Sequence, residues 1–146
     1  ERGLFECSVY DGVPEMLEAL RALGARLLLA TSKPEVFARA VLERFGLLPL
    51  FSGVTGSNLD GTRESKAEVV ACALAGAGVS DPAAAVMVGD RMDTDVISGM
   101  ECGMSTVLVL SGISTEATLD EYAYRPSAVL DGVGDIVTLA EAQHAE

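Results

Sequence analysis

The sequence predicts a doubly wound α/β domain built on a mostly parallel sheet, and three observations predict it. Short runs rich in Leu, Val and Thr alternate with segments that carry apolar residues at helical spacing. The runs lack the in-and-out alternation of a half-exposed sheet, as strands covered on both faces do. Polar residues gather just past the runs, where open α/β sheets bind ligands. At 146 residues the chain suits one such core, so a single domain over 1–146 is expected.

Pro14 opens the first helix, with Leu17, Leu20 and Leu23 on one face and Gly24 as the stop. Arg26 to Thr31 is the first strand. A second helix after Pro34 turns Phe37, Val41 and Phe45 inward and stops at Gly46. Leu50 to Gly56 is the second strand, followed by a polar loop from Ser57 to Glu64. Ser65 and Glu68 have the spacing of a capping box and open a helix that carries Val70 and Leu74 inward. Ala84 to Gly89 is the third strand, Ile97 and Met100 mark the fourth helix, and Ser105 to Gly112 is the fourth strand. The loop from Gly112 to Pro126 holds a short helix near Glu116 to Asp120. Ser127 to Asp131 is the last strand, and Val133, Ile136, Val137 and Ala140 mark the last helix. Right-handed crossovers are the default between parallel strands.

Composition narrows the function. Hydrophobic residues make up 49% and charged residues 22%, as in globular proteins. No apolar run approaches the ~20 residues of a membrane span, and no secretion signal opens the chain, so a soluble, cytoplasmic protein is expected. Ten basic against 22 acidic residues give a net charge of -12, which repels nucleic acid and anionic membranes and favours a cation as partner. Cys7, Cys72 and Cys102 form neither a disulfide framework nor a C-x-x-C zinc site. His144, the sole histidine, stands near the end, which argues against a His-based triad.

Past the third strand comes "GDRMDTD", with Asp90, Asp93 and Asp95 within six residues. Acids so close repel one another unless a positive charge sits among them, and Mg²⁺ usually takes one or two carboxylates plus water and phosphate oxygens. Asp90 and Asp95 are the expected ligands; Asp93 is read as a helix cap. Lys66 falls in a first helical turn, where a cation opposes the helix dipole unless an anion is bound beside it. Thr31 and Ser32, at the end of the first strand, offer hydroxyls and amides to the same anion.

The order strand-Thr31, Lys66 at a helix start, then Gly89-Asp90-x-x-x-x-Asp95 resembles the haloacid dehalogenase (HAD) superfamily of phosphatases in its second, third and fourth motifs. From Tyr10 to about Val88 the chain looks like the phosphoglycolate phosphatase branch. From Gly89 onward, "GDRMDTDVISGMECGMSTVLVLSGIST" is more similar to the p-nitrophenyl phosphatase and nucleotide phosphatase branch, as a recombined chain would be. The resemblance implies a Rossmann-like HAD core, truncated and without a cap domain, that binds Mg²⁺ and a small phosphorylated substrate.

The family's first motif, which carries the nucleophilic Asp, is not found. "VYDGV" places Val9 where that Asp would stand if Asp11 were the second acid; alignment instead puts Asp11 at the entry to the first helix, where the chain returns from a cap. The resemblance also implies a missing strand between those ending at Thr31 and Gly89. Its two neighbours would be left with unpaired inner edges. Direct pairing, the segment Leu4 to Tyr10, or a strand- or segment-swapped homodimer would satisfy them.

Two functions follow. One is a slow, promiscuous Mg²⁺-dependent phosphatase of non-standard mechanism, with Asp90, Lys66 and Asp11 catalytic, Thr31, Ser32 and Lys66 on the phosphate, and Asp90 and Asp95 on the metal. In it a polarised water takes the nucleophile's place, oriented by a second carboxylate such as Asp11 or Asp93. The other is a non-catalytic module that binds Mg²⁺ and phosphate, or a subunit completed by another polypeptide. A receiver-like signalling domain ranks below both, because the acids follow a late strand.

Overall fold

The computed structural model of the protein describes residues 12–63 and 65–144. Along them run α1 (Val13–Ala22), β1 (Leu28–Pro34), α2 (Glu35–Arg44), β2 (Gly53–Ser57), α3 (Lys66–Gly76), β3 (Val86–Gly89), α4 (Ile97–Glu101), β4 (Ser105–Val109), α5 (Glu116–Leu119), β5 (Ala128–Leu130) and α6 (Ile136–His144). The alternation of strand and helix is as expected. Leu4 to Tyr10 and Asp11 lie outside the described residues.

All the strand pairs are parallel, but they form two sheets. β1 pairs with β2, Leu28 opposite Gly53 and Ala30 opposite Thr55. β3 pairs with β4, Val86 opposite Ser105, and β4 with β5, Val107 opposite Ala128. β1 and β3 are not hydrogen-bonded to each other. Helices nevertheless cover both faces across the break. Met16, Leu17 and Leu20 of α1, Ala38 and Leu42 of α2 and Ile136 of α6 join Val54 and Val107 in one buried cluster, against which Leu29 and Val88 also pack. On the opposite face Val70 and Leu74 of α3 bury against Met87, with Ala30 beside them. Alternate residues of β1 and β3 therefore serve opposite layers, as a strand's period of two requires.

Local chemistry explains most boundaries. Pro14 sits in the first turn of α1, where its missing N–H is no loss. Ser65 caps α3 as expected, its hydroxyl accepting the amide of Glu68 at 3.2 Å. Two helix faces differ from expectation. In α2, Ala38 and Leu42 are buried and Phe37 is exposed, while Phe45 packs partly buried against the core as expected. In the fourth helical segment the buried residues are Met92, Asp95, Val96, Ser98 and Gly99, and Met100 is exposed. The cause is a π-helical turn over Met92–Val96, which adds a residue ahead of α4 and rotates its face. Among the described residues no helix is long and apolar enough to cross a membrane.

Candidate active site

Lys66 and Asp95 meet beside the Ala30 carbonyl of β1 and the Asp90 amide just past β3, and Thr31 follows Ala30 within β1. Lys66, in the first turn of α3, crosses the break between the sheets: its Nζ donates to the Ala30 carbonyl at 2.8 Å and lies 3.2 Å from Asp95 Oδ1. Both side chains are nearly buried, Lys66 13% and Asp95 12% exposed. A charge opposed to the helix dipole is thus held by a carboxylate from the π-helical turn. Two of the three ammonium protons are engaged, which leaves one donor for a further acceptor.

The other oxygen of Asp95 is fixed by the backbone. Oδ2 accepts the amides of Asp90 at 3.1 Å and Arg91 at 3.3 Å, so the carboxylate folds back over the end of β3. That approach needs Gly89, since a Cβ there would overlap the Asp95 side chain. Asp90 is held from the other side: its Oδ2 accepts the amide of Ile113 at 2.9 Å, and its carbonyl accepts the amide of Ser114 at 3.0 Å. Gly112 makes this fit, because a Cβ there would meet the Asp90 carboxylate. The loop after β4 is thereby tied to the acid after β3.

Asp93 departs from expectation. It makes no side-chain cap. Instead its two oxygens take Nε and an Nη of Arg91, each at 3.0 Å, in an exposed two-point pair. The guanidinium hydrogen bonds hold the Asp93 carboxyl below the usual carboxylate range. No third His, Cys, Asp or Glu clusters with Asp90 and Asp95 among the described residues. Thr31 is half-buried, and its Oγ1 accepts the amide of Lys33 at 3.1 Å, which leaves its own proton free to donate outward. Ser32 beside it is exposed.

Sequence reasoning missed the parts that hold the acids. Ile113 acts through its amide and Gly89 and Gly112 through what they lack, so only glycine beside an acid at a strand end signalled them. Tyr124 was not foreseen. Its hydroxyl donates to the Met92 carbonyl at 2.7 Å and so anchors the π-helical turn that carries Asp95. Burial pushes the Tyr124 phenol above its ordinary value, consistent with a proton kept for that bond. Tyr124→Phe is expected to destabilise the fold by about 1 kcal/mol, the net worth of such a bond. Thermal unfolding checks this.

The chain is 40% identical over 117 residues to a 5'-nucleotidase of Pseudomonas aeruginosa, covering 80% of this chain and 52% of that protein. It is 40% identical over 120 residues to tyrosine-protein kinase PtkA of Mycobacterium tuberculosis, covering 82% of this chain and 40% of the relative. A crystal structure of a predicted phosphatase from Clostridium acetobutylicum superposes with a TM-score of 0.88 at 30% identity, over 97% of this chain and 63% of that one. The chain spans about half the length of the curated relatives it matches. The HAD-hydrolase-like family model matches residues 61–136, which include Lys66, Asp90 and Asp95, and the chain belongs to that family.

Proposed function

We propose that the chain carries the site of a Mg²⁺-dependent phosphoric monoester hydrolase. The buried Lys66–Asp95 pair beside Asp90 supports this reading most directly, because it sets one cation and two carboxylates at the ends of the strands. Asp90 and Asp95 suit Mg²⁺: two hard oxygen donors are what this ion usually takes from protein, with water and phosphate oxygens completing its shell. When bound there, the ion supplies charge neutralisation at the phosphoryl oxygens.

The chain's own groups supply the rest. The third Lys66 proton, from the first turn of α3, and the Thr31 hydroxyl, from β1, donate to phosphoryl oxygens, with Ser32 at the rim. Phosphoryl transfer responds mainly to such positioning and charge compensation. The amide of Ile113 holds Asp90 in place, and the amides of Asp90 and Arg91 hold Asp95. Asp11, expected as a catalytic acid, lies outside the described residues, so no step is derived through it. Purified full-length chain is expected to release phosphate from p-nitrophenyl phosphate with Mg²⁺ and to lose that activity in EDTA. No phosphate release with Mg²⁺ present would refute it.

The non-catalytic reading has its own support in the break between β1 and β3 among the described residues, since a site astride that break can bind without turning over. Mg²⁺ uptake without hydrolysis favours it. Assembly is a further proposal: the inner edges need pairing, and a second copy is one source. Sedimentation at micromolar concentration then shows a species of twice 15.2 kDa; a lone 15.2 kDa species contradicts the homodimer. A cytoplasmic location, in keeping with the free Cys72 and Cys102, belongs to the same proposal.

A further inference from the structure

The loop that leaves β2 closes on itself. The Asn58 amide donates to the Thr62 carbonyl at 3.2 Å, and the Gly61 amide donates to the Asn58 carbonyl at 3.3 Å. Asn58 Nδ2 donates to Thr62 Oγ1 at 2.7 Å, while the amide and the hydroxyl of Thr62 both donate to Asp60 Oδ1, at 3.0 and 2.7 Å. Arg63 follows this turn at φ 57°, and among the described residues it is the non-glycine residue with a positive φ. A left-handed backbone is unfavourable for a residue with a Cβ and persists only where its surroundings over-determine it. The Arg63 Nε is also buried, with no acceptor among the described residues. Outliers of this kind gather at functional sites.

The terminal nitrogens of the guanidinium hold the residue there. One Nη donates to Cys72 Sγ at 2.8 Å; the other donates to Asn58 Oδ1 at 2.8 Å and lies 3.7 Å from Glu35 Oε1. Three elements meet at this one group. Asn58 follows β2, Cys72 belongs to α3, and Glu35 opens α2. Both helices bear on the candidate site, since α3 carries Lys66 in its first turn and Glu35 stands four residues after Thr31. Gly56 keeps that turn close to β2, because a Cβ there would overlap the Lys33 carbonyl and the Glu35 amide. The segment from Thr31 to Glu35 is therefore backed by β2, and α3 is tied to it through one planar fork of donors. An ammonium, a point charge on a flexible stem, does not offer that geometry.

The geometry points to Arg63 as a positioning residue that sets the spacing between Lys66 and Thr31. The tip of Lys66 is fixed by the Ala30 carbonyl and Asp95. Its backbone is fixed through α3, and there the Arg63 guanidinium bridges the helix to the turn that follows Thr31. The inference rests on the reading of Lys66 and Thr31 as the groups that hold the phosphoryl oxygens. It adds that their spacing is set from outside the site, by a strained arginine on the loop between β2 and α3. Spacing of this kind matters because a misplacement of about 1 Å by a change away from the chemistry can cost about a hundredfold in rate.

The test compares the full chain with Arg63→Gly, because glycine adopts a positive φ freely and the variant loses only the side chain. Inorganic phosphate is titrated calorimetrically in the presence of MgCl₂, beside steady-state assays with p-nitrophenyl phosphate. The variant is expected to bind phosphate about tenfold or more weakly and to raise KM by a similar factor. Its Mg²⁺ affinity stays that of the wild type, since Asp90 and Asp95 are held by other bonds. Arg63→Lys is expected to match Arg63→Gly; wild-type phosphate affinity in the lysine variant shows that charge alone suffices and overturns the inference. Unchanged phosphate affinity in Arg63→Gly overturns it too, as does a loss confined to binding stoichiometry and kcat, which is what a merely structural role produces. A wild-type chain that binds phosphate but does not hydrolyse p-nitrophenyl phosphate refutes the phosphatase reading alone. One that binds no phosphate overturns both.

Discussion

Asp90→Asn lowers Mg²⁺-dependent phosphate release by about a hundredfold or more while the protein stays folded. The magnitude follows from what surrounds the ligand: losing a group that merely orients a metal ligand already costs about 10–100-fold in affinity or activity, and Asp90 is proposed as a ligand itself. The retained fold follows from the bond that the carboxylate makes. Ile113 donates its amide to Asp90 Oδ2, and an asparagine carbonyl accepts the same bond. The loop after β4 therefore stays tied, and only the negative charge is lost. Steady-state assays of the purified variant beside a thermal melt check both halves. Activity that does not respond to the substitution would belong to another site or another protein.

Asp95→Ala produces the largest loss of stability. It removes the partner of an ammonium that is 13% exposed and leaves the amides of Asp90 and Arg91 without their acceptor. Breaking a buried pair by deleting one partner costs about 3–5 kcal/mol, because the remaining charge stays desolvated. Water reaching the slightly exposed Lys66 places this one at the low end, about 3 kcal/mol, and lowers Tm by roughly 6–12 °C in a domain of this size. Adding Lys66→Met removes the stranded charge, so the double variant recovers part of the stability and none of the activity. If the double variant melts lower than Asp95→Ala alone, the pair is not what holds these residues.

Much of this was legible in the sequence because it is local. Helix starts at Pro14 and Ser65 depend on neighbours a few residues away, and the order of strands and helices follows from short apolar runs. The placement of the candidate residues follows from a related reason. In an open parallel sheet every strand delivers its following residues to the same end, so the residues past β3, Asp90 and Asp95 among them, are expected on the same side as those past β1 once the alternation is recognised. What stayed hidden depends on partners distant in sequence. The pairing of Lys66 with Asp95 spans two elements, and the role of Ile113 lies in its amide. The π-helical turn that buries Val96 and exposes Met100 leaves no mark on apolar spacing. Asp93 is the exception: its partner Arg91 is only two residues away, and the two-point pair between them takes both carboxylate oxygens in place of a cap.

Titration calorimetry with MgCl₂ on the folded wild-type chain and on Asp90→Asn tests the central claim, that Asp90 and Asp95 form a divalent-cation site beside Lys66. The account predicts uptake of about one Mg²⁺ per chain by the wild type, the stoichiometry of a site made by one or two carboxylates, and none by the variant. A folded wild-type chain that takes up no Mg²⁺, or a variant that binds it equally well, would contradict it.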